Sequence, residues 1–210
     1  YKRQIIDTLS NADNIVRPAN LPVQAAGKEV AYFRTTAGPV VAVISLLGRK
    51  HMNLLGDNPF HTATRVLSKM PEDIRLIIVD IHAEMSGEKV AMGWFLDGKV
   101  TAVFGTHTHV PTADETVLPK GTAYITDVGM TGAHESVLGR NIEPVLKSHL
   151  TQMPFSFSIA TGDVRMNGAI ITADSNTGRA SAIERVCVKL EHAVDAYDNH
   201  DGRPDPSMGE

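Results

Sequence analysis

Short hydrophobic runs of strand length recur along the chain, and polar or glycine-containing residues follow each of them. The apolar runs IRLIIVDIH, VTAVFG and GTAYITDVG predict strands buried on both faces of a sheet. Two further strands, EVAYFRT and PVVAVISLLG, are predicted to be joined by a turn at Ala37-Gly38-Pro39. The pattern therefore predicts a sheet that is covered on both faces.

Segments with apolar residues at helical spacing lie between and around these strands: KRQIIDTLSNA, FHTATRVLSKM, SGEKVAMGWFLDG and EPVLKSHLTQM. We expect the second helix to stop before Pro71, and Ser86 to cap the third, which ends before Gly98. The alternation in FSFSIATGDVRMNGAIITADSNTGRASAIERVCVKLE predicts antiparallel hairpins. The order of elements predicts an α/β sandwich of mixed β-sheets flanked by helices, with one domain over residues 1–192 and a polar tail over residues 193–210.

Composition narrows the class of function. The 210 residues carry a net charge of −4, so the chain lacks the broad basic surface that a duplex nucleic-acid binder needs. The longest apolar runs fall short of the roughly 20 residues of a membrane helix, and the opening YKRQIIDTLSNAD lacks the apolar stretch of a signal peptide. We therefore expect a cytoplasmic protein without membrane contact. The single cysteine, Cys187, excludes a multi-cysteine zinc site, and we expect it to be a small buried residue.

Three histidines occupy the same kind of position, at the end of a predicted buried strand. His82 ends LIIVDIH, and His107 and His109 follow TAVFG. In open α/β sheets, ligands gather outside the carboxyl ends of the strands. If the backbone is extended over His107-Thr108-His109, both imidazoles of the pair point to one side, with Cα atoms about 6.6 Å apart. The three histidines predict a metal site, in which the pair either shares one ion or gives one ligand to each of two.

Polar neighbours of these histidines are weaker candidates for contacts to substrate or to ligand imidazoles. The hydroxyls of Thr106 and Thr108 could hold a phosphate or a water, and Glu84 lies close to His82 in the sequence. Asp127 could orient an imidazole, although bonding to loop amides is the favoured interpretation. The remaining histidines are interpreted as solvated or structural: His51, His61, His134, His149, His192 and His200.

One alternative fails on composition. His82-Ala83-Glu84 fits half of the zinc nucleobase deaminase signature, but that chemistry also needs a Pro-Cys-x-x-Cys segment. A single cysteine cannot supply it.

The block VDIHAEMSGEKVAMGWFLDGKVTAVFGTHTHVPTADETVLPKGTAYITDVGMTG closely resembles a bacterial family of calcineurin-like metallophosphoesterases, the YmdB-type phosphodiesterases that act on cyclic nucleotides. NIVRPANLP and NGAIITADSNTGRASAIERV are also similar, so the resemblance extends from Tyr1 to about Leu190. It implies a calcineurin-like sandwich that binds two divalent metal ions, iron or manganese with zinc as a further choice. His82 and His107 match ligands of one ion, and His109 matches a ligand of the other. The implied substrate is a small phosphodiester or cyclic nucleotide. The resemblance is also compatible with a homo-oligomer.

The chain also departs from the family pattern. That pattern begins with a metal-binding aspartate on a strand, a Glu-Asn pair and an Asn-His pair that includes the catalytic histidine, and Tyr1 aligns just past them. The first β-α-β portion is therefore missing, no catalytic residue is assigned, and this polypeptide alone is expected to bind metal poorly and hydrolyse little. Two alternatives remain: a regulatory protein that keeps the fold without turnover, and a mononuclear His-x-His hydrolase of the amidohydrolase type.

Overall fold

The computed structural model describes residues 2–53 and 56–190, which form a mixed α/β structure with two sheets. The first sheet has six strands, in chain order β1 (Val30–Arg34), β2 (Val40–Leu47), β3 (Leu76–His82), β4 (Ala102–Thr106), β5 (Thr116–Val117) and β6 (Ala123–Ile125). Their order across the sheet is β1-β2-β3-β4-β6-β5. β2, β3, β4 and β6 run parallel to one another, and β1 and β5 are antiparallel at the two edges.

The helices are α1 (Lys2–Asn11), α2 (Pro59–Leu67), α3 (Ser86–Leu96) and α4 (Ile142–Thr151), which confirms the predicted helical segments. α2 begins after Asn58, whose side chain accepts hydrogen bonds from two backbone N–H groups of the first turn, and it ends earlier than predicted. The expectation for Ser86 is wrong. Met85 occupies the cap position without a side-chain cap hydrogen bond, and Ser86 is the first helical residue. Within the described residues, no helix has the length and apolar character needed to cross a bilayer.

Alternation along β3 separates the two faces of the six-stranded sheet. Ile77, Val79 and Ile81 are buried and belong to one core cluster with α2 and α3, where the rings of Phe60 and Phe95 meet edge-to-face at 5.3 Å. The opposite face holds a smaller cluster in which the sheet packs against the hairpin of the second sheet; its buried members are Ala102, Ala123 and Ala180. The predicted sandwich of mixed sheets flanked by helices is thereby confirmed.

The second sheet has three strands in the order β7-β8-β9, with bounds β7 (Gly132–Ala133), β8 (Val164–Ala173) and β9 (Ala180–Lys189). The expected strand over FSFSIA is wrong, because only an isolated bridge between Arg140 and Ile159 forms there. Cys187 is exposed rather than buried, since it lies in the mostly exposed C-terminal half of β9.

The described chain forms two compact units. The first comprises residues up to Thr131 together with Asn167–Cys187, and the second comprises Gly132–Met166 and continues from Val188. The predicted tail over residues 193–210, with His192 and His200, lies outside the described residues. The domain boundary at residue 192 stays a prediction.

Candidate metal centre

The carboxyl ends of the parallel strands β3 and β4 bring the first candidate residues together. His82 is the last residue of β3 and lies directly opposite Thr106, the last residue of β4. Asp80, two residues before His82, projects from the same face of β3 because side chains alternate along a strand. The register of the parallel sheet thus gathers polar groups at this edge, as the sequence predicts.

Two imidazoles face each other at this edge. His107 Nδ1 lies 3.0 Å from His82 Nε2, with ring centroids 4.7 Å apart and ring planes at 85°. The other ring nitrogen of His107, Nε2, lies 3.0 Å from Glu84 Oε2. The His107 side chain is 34% exposed and that of Glu84 50% exposed, so solvent and small ligands reach the cluster. His82, His107 and Glu84 form what we call the imidazole cluster.

The third histidine lies on a sharply turned loop. His107 has φ 102° and His109 has φ 66°, so the segment is not extended and the expectation that an extended pair projects to one side is wrong. His109 is exposed. Among residues 2–53 and 56–190, no three side chains of His, Cys, Asp or Glu are grouped as metal ligands. The structure therefore brings His82 and His107 together and does not gather His109 into a triad with them.

A buried ion pair holds the loop of His107 and His109 in place through its contacts with Thr108. Lys89 Nζ lies 2.7 Å from Asp127 Oδ2, and the two side chains are 0% and 1% exposed. The same oxygen accepts hydrogen bonds from Thr108 N at 3.1 Å and Thr108 Oγ1 at 2.7 Å, while Gly129 N donates to Oδ1 at 2.9 Å. Asp127 thus bonds loop amides, which confirms the favoured interpretation. Burial acts to raise the pKa of Asp127, but the bonds from Lys89, Thr108 and Gly129 outweigh it and lower that pKa.

Lys89 is the buried charged residue beside the site that sequence reasoning missed. It lies on α3 within a fully buried stripe whose members are Lys89, Met92, Gly93 and Leu96. That spacing of three, four and seven residues is the signal that could have shown its burial. Gly105 makes room for it, because a Cβ there would lie 2.6 Å from Lys89 Cδ.

His82 is held from its other side by a second chain of contacts. Its Nδ1 lies 3.0 Å from Thr106 Oγ1, which donates to Asp80 Oδ1 at 2.8 Å, and Ser45 Oγ donates to Asp80 Oδ2 at 3.0 Å. Burial, followed by the nearby charge of His107, lowers the pKa of His82. Burial raises the pKa of Asp80 despite its two hydrogen-bond donors. A lowered histidine pKa favours the neutral imidazole, which is the form that binds metals.

The donor set of the imidazole cluster fits part of a metal site. Two nitrogens bound to one ion at about 2.1 Å each stand roughly 3.0 to 3.4 Å apart in octahedral or tetrahedral geometry. The 3.0 Å between His107 Nδ1 and His82 Nε2 falls in that range. Imidazole nitrogens suit iron or zinc, whereas Glu84 contacts the other nitrogen of His107, Nε2, and lies outside this pair of donors. The residues present therefore fit one end of a metal centre.

The sequence as a whole decides the family. A sequence model described as YmdB-like protein matches residues 1–186. The chain belongs to the YmdB-like family. The resemblance drawn from the histidine-bearing motifs is thereby confirmed.

Known relatives of this YmdB-like chain are phosphoesterases by name. It is 42% identical over 191 residues to a protein of Bacillus subtilis (strain 168) named 2′,3′-cyclic-nucleotide 2′-phosphodiesterase, covering 91% of this chain and 72% of that protein. A crystal structure described as a novel phosphatase, from Mycoplasma pneumoniae, superposes with a TM-score of 0.81 at 33% identity, covering 90% of this chain and 68% of that one. A crystal structure of a hypothetical protein from Thermus thermophilus gives the same TM-score of 0.81 at 36% identity, covering 89% and 71%. The YmdB-like chain is accordingly classed as a hydrolase of the phosphoesterase type.

Proposed function

We propose that this chain supplies part of a dinuclear metal centre that hydrolyses a small phosphodiester, in the first place a 2′,3′-cyclic nucleotide. The observation that carries the proposal is the 3.0 Å approach of His107 Nδ1 to His82 Nε2 at the carboxyl edge of the parallel strands. The name of the Bacillus subtilis relative supports the substrate class. His82 and His107 hold one ion, and His109 serves a second, with iron or manganese as the preferred metals and zinc as a further choice.

Such a pair of divalent ions, when bound, lowers the pKa of a water and neutralises charge that builds on the phosphoryl oxygens. The residues of this chain supply position and electrostatics. Glu84 Oε2 lies 3.0 Å from His107 Nε2 and orients that ring. Its half-exposed carboxylate also adds a negative charge beside the cations. We assign no residue of this chain as the general acid or general base of the chemical step.

Thr106 and Thr108 act on the histidines rather than on the substrate. The hydroxyl of Thr106 donates its hydrogen bond to Asp80, and the hydroxyl of Thr108 donates its hydrogen bond to Asp127. Neither hydroxyl therefore has a proton left to donate to a phosphate. Thr106 instead contacts the ring of His82, and Thr108 ties the backbone of the histidine loop to the Lys89–Asp127 pair.

The test is manganese-dependent hydrolysis of 2′,3′-cyclic AMP and of bis(p-nitrophenyl) phosphate by the complete protein and by its His82→Ala and His107→Ala variants, because this chain alone is expected to hydrolyse little. Loss of a ligand is expected to lower turnover by more than the roughly 10- to 100-fold that loss of an outer hydrogen-bond partner typically costs. His149→Ala is the matched control, because His149 is exposed on α4. It should retain the rate of the parent chain.

Equal turnover in His107→Ala and His149→Ala would contradict the assignment of the metal ligands. Turnover that persists in every protein after chelation of divalent ions would contradict metal dependence itself. Metal content after loading separates the mononuclear alternative, since the proposal requires two ions in the active centre and a His-x-His hydrolase of the amidohydrolase type requires one.

A further inference from the structure

We infer that Asp80, acting through the hydroxyl of Thr106, fixes His82 in the tautomer that carries its proton on Nδ1, so that the lone pair of Nε2 points toward His107. Asp80 and Thr106 are then positioning residues for a metal ligand. The role of His82 as a ligand rests on the proposed function. The tautomer itself is a property of the metal-free chain and is tested without any activity.

Strand register aligns the participants. Asp80 and His82 are two residues apart on β3 and therefore share one face of the sheet. On one side, Ser45 of β2 lies directly opposite Asp80; on the other, Thr106 of β4 lies directly opposite His82. The hydrogen bonds that join them are thus held by three adjacent parallel strands. Held in this way, the ring of His82 has a fixed partner on its Nδ1 side.

The number of available protons decides the direction of each bond. A carboxylate only accepts hydrogen bonds, and the two oxygens of Asp80 accept from Ser45 Oγ at 3.0 Å and from Thr106 Oγ1 at 2.8 Å. Because a hydroxyl has one proton, Thr106 Oγ1 can only accept from His82 Nδ1, which lies 3.0 Å away. A neutral imidazole has a single N–H group, so Nε2 of His82 keeps its lone pair, and in the metal-free chain it accepts from the Nδ1–H group of His107 at 3.0 Å.

This lone pair is what a metal ion requires. An imidazole that is already in the binding tautomer needs no proton shift before it coordinates, and a partner on its N–H group raises its basicity. Removing such a partner typically weakens metal binding by about 10- to 100-fold. Loss of the Thr106 hydroxyl should therefore weaken metal binding, although Thr106 is not itself a metal ligand.

The decisive measurement is made on the metal-free, 15N-labelled full chain at about pH 8, where unperturbed imidazoles are neutral. Long-range 15N–1H correlation spectra distinguish the protonated from the unprotonated ring nitrogen, and a His82→Ala spectrum assigns the signals. We expect Nδ1 of His82 to be protonated and Nε2 to be unprotonated. A parent chain in which Nε2 of His82 carries the proton would overturn the inference.

Substitutions at Thr106 test the cause. Thr106→Val keeps the shape but removes the acceptor, so His82 should lose its exclusive protonation at Nδ1, and Thr106→Ser should restore it. Ser45→Ala is the control, because it leaves Asp80 still accepting from Thr106. An unchanged tautomer in Thr106→Val would overturn the inference.

Manganese affinity, measured by isothermal titration calorimetry, gives a second readout for Thr106. Thr106→Val should bind about 10- to 100-fold more weakly than the parent, and Thr106→Ser should bind like the parent. Equal affinity in Thr106→Val and the parent would overturn the positioning role. A parent chain with the expected tautomer, in which His82→Ala leaves manganese affinity unchanged, would contradict the proposed function and leave the tautomer inference standing.

Discussion

Lys89 and Asp127 show how a single buried contact can organise a loop. The pair joins α3 to the segment after β6, and through Thr108 it also reaches the loop that carries His107 and His109. A buried ion pair contributes little net stability compared with a well-packed apolar pair, because both charges lose their hydration. The pair instead holds the loop of His107 and His109 in position. Loss of one partner, however, leaves the other charge buried without compensation.

Lys89→Met is expected to lower the free energy of unfolding by about 3–5 kcal/mol, because the charge of Asp127 then stays buried without its cation. Urea denaturation followed by circular dichroism measures the change. Lys147→Met is the control on α4, where Lys147 pairs with Glu143 at the surface and the lysine is 56% exposed. That substitution should cost at most about 0.5 kcal/mol.

The double variant Lys89→Met with Asp127→Asn separates an uncompensated charge from lost packing. It should recover most of the stability lost in Lys89→Met, since no buried charge is left unpaired and the amide oxygen of asparagine still accepts from Thr108. A double variant as unstable as the sum of its single variants would show that packing, and not charge, explains the effect.

The histidines of the site could be predicted from the sequence, while their supporting residues could not. His82 and His107 follow apolar runs, and the edge position of their side chains comes directly from the rule for parallel sheets. Asp80 lies inside such a run, and only the register with Ser45 and Thr106 gives it partners. The register between strands depends on residues far apart in the sequence, so the local pattern of hydrophobic residues cannot predict these partners.

At the scale of elements, the approach of β4 to the segment after β6 depends on one missing side chain. A Cβ on Gly105 would lie 1.7 Å from the backbone oxygen of Thr126 and 2.6 Å from Lys89 Cδ. A backbone atom cannot move aside as the end of a flexible side chain can. An added Cβ would therefore push β4 and the segment after β6 apart. Gly105 therefore sets the spacing beneath the histidine loop.

Gly105→Ala is expected to destabilise the fold by about 1–3 kcal/mol or more, because the added methyl group overpacks a buried strand contact. Gly87→Ala offers a control with the same chemical change. Gly87 lies in α3, where the nearest atom to an added Cβ, Met85 Cε, is 3.9 Å away. Alanine should stabilise that helix by roughly 0.5–1 kcal/mol. Thermal unfolding of the two variants should thus shift in opposite directions, and a common direction would contradict this account.

Element types were predictable where hydrophobic periodicity was strong, as in β2, β3 and β4. Ends were not. α2 stops at Leu67, because Lys69 N and Met70 N donate to the carbonyl oxygens of Val66 and Leu67, three residues back instead of four. The alternating run FSFSIA lacks a partner strand apart from one bridge at Ile159, so its pattern alone did not make it a strand.

At the scale of the whole chain, the two compact units differ in how much apolar surface they bury. The first contains the large core cluster of the six-stranded sheet with α2 and α3. Among the described residues of the second, the buried hydrophobic side chains are Ala133, Val145 and Ala160. Its large exposed hydrophobic residues, among those described, are Leu138, Ile142, Leu146, Leu150, Met153, Phe155, Phe157, Ile159, Met166, Val188 and Leu190. Because local opening is opposed mainly by buried apolar contacts, the second unit should open at a lower free energy.

Hydrogen exchange followed by mass spectrometry tests this difference on two helices of nearly equal length. α3 has 11 residues and buries Lys89, Met92, Gly93 and Leu96, whereas α4 has 10 residues and buries Val145 alone. Amides of α4 should therefore exchange faster than those of α3 in the same sample. The exposed pair between Glu143 and Lys147 does not offset this, because water screens a pair at the surface and its net contribution to stability is small. Equal protection in the two helices would show that contacts other than buried apolar ones hold α4 in place.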